Sequence, residues 1–157
     1  MTKEHLKNGD KMKLTEEQIK SIAEELEAGF KVYLNIETKE IKSIIDFDNN
    51  YDADTEPWEE DIKEIEENYD KYLKFEKMDS RESFQVMEEF VVTVEDEELR
   101  KKLELGLSLS KPFRNFKDII DDENEYRKNW FAFKSAKYIE FVKEQLESYN
   151  NNISSST

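Results

Sequence analysis

Asp48, Asn50, Asp52, Asp54 and Glu59 fall at positions 1, 3, 5, 7 and 12 of an EF-hand-like calcium loop. Hard cations bind clustered carboxylate and carboxamide oxygens, so these five residues are a candidate metal site. Ala53 stands where such a loop needs glycine for its sharp turn, and the residues ahead of it alternate like a strand instead of repeating like an entering helix. The competing reading is a hydrated, carboxylate-rich turn whose charges complement the N-terminus of the helix that follows. That reading asks for less, because acidic turns arise readily in so acidic a chain.

A second concentration of chemistry is the segment KPFRNFK. It puts Lys111, Arg114, Lys117 and two phenylalanines into residues 111–117 of a chain with a formal net charge of −15. Arg114 and Lys117, supported by Trp130, are candidates for contact with a protein partner or an anion. The plainer reading is the start of a helix, with Ser110 as cap and Pro112 in the first turn. Phe113, Phe116 and Ile120 then share a core-facing side, while Asp118, Asp121, Asp122 and Glu123 neutralise Arg114 and Lys117.

Catalytic equipment is otherwise sparse. The chain has no cysteine, which excludes disulfides, thiolate nucleophiles and iron–sulfur clusters. Its single histidine, His5, lies in a polar, aperiodic N-terminal stretch and reads as a solvated tail residue. Glycines occur only at positions 9, 29 and 106, with no phosphate-cradling loop and no dinucleotide fingerprint. Paired carboxylates remain, but 39 Asp and Glu residues guarantee such pairs by chance. The expectation is a protein that is not an enzyme and takes no cofactor.

The charge also bounds the partners. Residues 46–70 carry twelve acids against one lysine, whereas residues 111–143 carry eight Lys and Arg against six acids. General affinity for nucleic acid or an anionic membrane is not expected, because phosphate neutralisation needs clustered cations. An acidic face suits docking on a basic protein, or mimicry of nucleic-acid phosphates. The opposite polarity of the two regions also permits a homo-oligomer. No window approaches the ~20 apolar residues of a membrane span, so a cytoplasmic location is the simplest expectation.

These residues must be positioned by a fold, and the patterning predicts one. Thr15 and Gln18 make a capping box ahead of Ile19, Ile22, Ala23 and Leu26, and Gly29 stops that helix. Two β-rich runs around ETKE predict a hairpin, with Val32 and Leu34 on one face. Trp58, Ile62, Ile65 and Tyr69 predict a helix after the acidic turn, and KYLKFE a third strand. Asp79 and Glu82 have cap spacing before Phe84, Met87, Val91 and Val94, and a further helix from about Asp96 carries Leu99, Leu103 and Leu107. WFAFK reads as a short fourth strand or a buried connector before a last helix from about Ser135. The predicted class is α+β: a small, mainly antiparallel sheet of a hairpin plus one or two strands, packed with about five helices. Residues 14–149 are read as a single domain between polar tails at 1–13 and 150–157.

The order of motifs from Tyr72 onward carries a resemblance. Tyr72 and Leu73, then Met87, Glu88 and Phe90, Leu99 and Leu103, Phe113, Arg114, Phe116, Lys117 and Asp118, and finally Trp130, Phe131 and Phe133 follow one another in a pattern that resembles the UPF0158 family of uncharacterised bacterial proteins. Leu109, Ser110, Lys111 and Pro112 depart from the small, glycine-rich residues of that pattern. The resemblance implies a soluble bacterial protein and transfers no mechanism. The functional expectation is a non-catalytic protein-interaction or regulatory module with an acidic face. The alternatives are a nucleic-acid mimic, a calcium-binding protein or, less favoured, a carboxylate-based enzyme.

Overall fold

The computed structural model describes residues 11–155. His5 and most of the predicted N-terminal tail lie outside the described residues. The chain divides into two compact units: residues 1–77 with 138–157, and residues 78–137. Six helices and three strands are found among the described residues, in the α+β arrangement expected.

In the first unit, α1 (Glu16–Glu27) begins at the predicted capping box. The Thr15 hydroxyl accepts the Gln18 N–H at 3.1 Å and the Gln18 side chain accepts the Thr15 N–H at 2.8 Å. It ends where Gly29, with φ of 103°, lets the Gly29 and Phe30 N–H groups turn back to the carbonyls of Leu26 and Glu25. β1 (Lys31–Asn35) and β2 (Ile41–Ile44) form the hairpin, with Tyr33 opposite Lys42. The Asn35 side chain closes its turn by accepting the Glu37 and Thr38 N–H groups at 2.8 and 3.0 Å. β3 (Tyr72–Phe75) pairs antiparallel with β1 on the other side, giving the order β2-β1-β3. Val32, Leu34 and Phe75 are buried, as two-residue alternation requires of one sheet face.

α2 (Glu59–Glu67) follows a single 3₁₀ turn at Glu56–Trp58. It is tied to the sheet by two polar contacts. The Lys42 ammonium donates to Asp61 Oδ1 at 3.1 Å, and the Tyr72 hydroxyl donates to Glu64 Oε2 at 3.0 Å. At the open side of β3, the Gln145 side chain accepts the Glu76 N–H and donates to the Glu76 carbonyl, both at 2.9 Å. Asn150 makes the same paired contact with the backbone of Met12, at 2.7 and 3.0 Å, and Met12 is buried. Met12 therefore packs, although the polarity of residues 1–13 predicts a tail.

The second unit is built from helices. α3 (Ser80–Thr93) starts at an Asp79–Glu82 capping box, and α4 (Glu97–Ser108) at Asp96, whose carboxylate accepts the Leu99 N–H at 3.1 Å. α5 (Pro112–Ile120) follows after a short turn, and α6 (Asn124–Ser155) begins in this unit and ends in the first. Val86, Met87, Phe90, Val91, Val94, Leu99, Leu103, Leu107, Phe116, Ile120 and Trp130 form one core.

WFAFK is neither strand nor connector: it lies inside α6, which starts at Asn124 and not near Ser135. The burial explains why. Trp130 is buried and Phe133 packs on the same core, while Phe131 between them is exposed, which is a spacing of three and not of two. α6 also continues through residues 150–155, where the composition predicts a tail.

Candidate functional site

Among the described residues no three His, Asp or Glu side chains gather where one cation would be held. The five calcium-loop candidates are instead spread through successive turns. Asp48 Oδ2 lies 3.6 Å from the Lys31 ammonium, and the Asn50 amide donates to the Asp46 carbonyl at 2.9 Å. Asp54 Oδ1 accepts the Glu56 N–H at 3.0 Å, and Glu59 Oε2 accepts the Thr55 hydroxyl at 3.3 Å. Asp52 lies on the exposed loop beside them.

The acid that this segment buries is Asp46, a residue outside the loop spacing. Its carboxylate accepts the Asn49 amide at 2.6 Å and the Asp48 N–H at 3.1 Å, with the Lys77 and Lys31 ammonium groups at 3.1 and 3.8 Å. The Asn49 hydrogen bond, followed by Lys77, holds its carboxyl below the ordinary aspartate value against the opposing cost of burial. Asp46 thus anchors the exit of β2 to the start of β1 and the residues after β3. Lys42, hydrogen-bonded to Asp61, is held above the ordinary lysine value, and burial pushes the Tyr72 hydroxyl up. The carboxylates nearest a lysine and a tyrosine thus serve as ties for α2.

The basic aromatic segment separates into distinct roles. Phe116 and Trp130 are core residues, with ring centroids 4.8 Å apart, and both meet Phe90 edge to face. Trp130 therefore does not lie on a surface with Arg114 and Lys117. Phe113 is partly exposed and meets Phe84 edge to face at 6.3 Å, so it borders the core without entering it. Lys117 is bound to Asp121 at 2.7 Å, and Arg127 joins the same carboxylate at 3.4 Å. Arg114 is exposed and makes no ion pair among the described residues, so the expected neutralisation reaches only Lys117. The helix is capped by Lys111 in the left-handed region, φ 58°, with no side-chain cap bond, and not by Ser110.

The surface beside this helix is where the second unit opens. Lys102, Leu105, Gly106 and Leu109 of α4 and the residue after it, with Asn115, Asp118 and Ile119 of α5, line a groove of about 340 Å³. Leu105 on α4 and Leu109 just after its end are 61% and 54% exposed, although the other leucines of the helix are buried. Gly106 permits the two helices to approach: a Cβ there would stand 3.1 Å from Ile119 Cδ1 and 3.3 Å from Asn115 Cβ. The Asn115 amide seals the turn by donating to the Gly106 and Ser110 carbonyls, both at 2.9 Å. A signal for this groove is present in ELGLSL. Leucines at 103, 105, 107 and 109 cannot all face one core from a helix, so the 105/109 pair must face elsewhere.

Among the described residues no helix is long and apolar enough to cross a membrane, α6 included. Comparison with curated proteins and with solved structures finds no match. A family model does match, over residues 44–156, which takes in the acidic turn, β3 and all of α2 to α6 with its groove. By that match over most of its length, the chain belongs to the uncharacterised protein family UPF0158.

Proposed function

We propose that the protein is a non-catalytic interaction module whose α4–α5 groove receives apolar side chains of another polypeptide. The observation that carries this reading is the exposed pair Leu105 and Leu109 beside a concave, largely apolar floor of Gly106 and Ile119. A single exposed leucine needs no explanation, but two that flank a groove are the usual form of a contact surface. Fully burying an exposed leucine is worth about 1.5–3 kcal/mol, and a bound partner would recover roughly half of that at each of these half-exposed positions. The acidic composition of the other unit, 25 Asp and Glu against 13 Lys and Arg, supports the same reading by favouring encounter with basic proteins.

The test is a photo-crosslinking amino acid placed at Leu105, with the same group at the exposed Glu24 as control, in cells of the source organism. A discrete protein adduct formed at Leu105, absent at Glu24 and lost when Leu109→Glu is added, is the expected result. Equal labelling at both positions, or none, overturns the reading.

A further inference from the structure

We propose that the occupant of the α4–α5 groove is the same groove of a second copy of this chain, related by a two-fold axis. This rests on the groove being a contact surface and adds what fills it. Charge is the first argument. Two molecules of net charge −15 repel, and the repulsion falls mainly on the first unit. Residues 78–137 are nearly balanced, with 11 Lys and Arg against 14 Asp and Glu, so this is the unit that a like molecule can approach.

The rim of the groove supplies the second argument. Lys102 stands on the α4 wall and Asp118 on the α5 wall. Both are exposed, and neither has an ion-pair partner among the described residues. Some charges on these helices are paired, Arg100 lying 3.7 Å from Glu97 and 4.0 Å from Glu104 and Lys117 being bound to Asp121, but of the two charges that line the groove neither is. A two-fold axis that runs along the groove in the plane of contact turns the second copy face to face and exchanges its walls. Lys102 of each copy then faces Asp118 of the other, so one unpaired cation and one unpaired anion become two equivalent ion pairs. Between them the exposed Leu105 and Leu109 side chains of both copies meet across the groove. A surface that is self-complementary in charge fits a second copy better than it fits an unrelated helix.

Sedimentation velocity over about a hundredfold range of protein concentration tests the proposal, because a contact of this size gives a reversible, concentration-dependent dimer. The wild type is expected to pass from monomer to dimer. Lys102→Glu and Asp118→Lys each place like charges together twice and should weaken association about tenfold or more. The double variant Lys102→Glu/Asp118→Lys restores both pairs and should return within about threefold of the wild type. Leu105→Glu should abolish the dimer. All three substitutions are at exposed positions, and unchanged helical circular dichroism and melting establish that the monomers are intact. A wild type that stays monomeric overturns the proposal, as does a dimer indifferent to the single reversals or one that the double variant fails to restore. If the wild type is monomeric while the Leu105 crosslinker captures a different protein, the groove remains a contact surface and only its two-fold pairing falls.

Discussion

Lys111 holds φ at 58° immediately before Pro112, a conformation that costs an L-residue roughly 1–2 kcal/mol and a glycine almost nothing. Lys111→Gly is therefore expected to stabilise the protein by about 0.5–1 kcal/mol, part of the relief being lost to the freer unfolded chain. A melting temperature that falls would show the strain to be absent. Asp46 makes a separate residue-scale claim. Its carboxyl is held below the ordinary aspartate value in the folded chain, so its stabilisation is complete at pH values above that ordinary range. It is lost as the pH falls through the folded value. Melting curves of wild type and Asp46→Asn should differ most near neutrality and converge on acidification; a constant gap would contradict the assignment. Neither residue was legible in the sequence. Lys111 is an ordinary cation until its backbone angle is known, and Asp46 is one acid among twelve in its segment until Lys77, remote in sequence, is brought beside it.

At the scale of elements, legibility followed local information. Both capping boxes, the hairpin, the third strand and the leucine stripe of α4 are set by residues within a few positions of one another, and each was readable in advance. The long α6 was obscured because WFAFK is apolar enough to read as a strand; only the burial of Trp130 against the exposure of Phe131 separates the two periods. The α4–α5 seam yields a further expectation. Gly106→Ala must displace Ile119 or Asn115 by some tenths of an ångström and should cost about 1–2 kcal/mol, read as a shift in denaturant midpoint. Phe116→Ala, which removes a ring in contact with Phe90 and Trp130, should cost about 3–5 kcal/mol, while Arg114→Ala should cost less than about 0.5. Similar costs for the two would mean that α5 is not packed as described.

For the whole molecule, the informative fact is that residues 78–137 are continuous and contain an entire hydrophobic core. Expressed alone, this segment is expected to be helical and to melt cooperatively, with low stability because so short a chain buries a modest share of its surface. A non-cooperative, noisy transition would show that it depends on the rest of the chain. Residues 1–77 differ, because their unit is completed only by the return of α6 from Tyr138 onward, with Tyr138, Val142 and Leu146 buried. A chain ending at residue 77 is expected not to fold. Composition cannot reveal that return: it is a long-range contact, and the polar run after Tyr149 disguises the helix that continues to Ser155.

Gln145 bears on how the protein behaves when crowded. In an antiparallel ladder alternate residues of an edge strand point their peptide groups outward, and on β3 those belong to Tyr72, Lys74 and Glu76. The Gln145 amide occupies the outward groups of Glu76, and the Tyr72 N–H is already bonded to the Tyr69 carbonyl. An incoming strand therefore finds a complete donor and acceptor pair only at Lys74, whose charged side chain discourages close stacking. Strand-by-strand growth, which lengthens without limit once begun, has no adequate template at the β3 edge. Crowded copies of this chain must therefore meet through surfaces other than this edge.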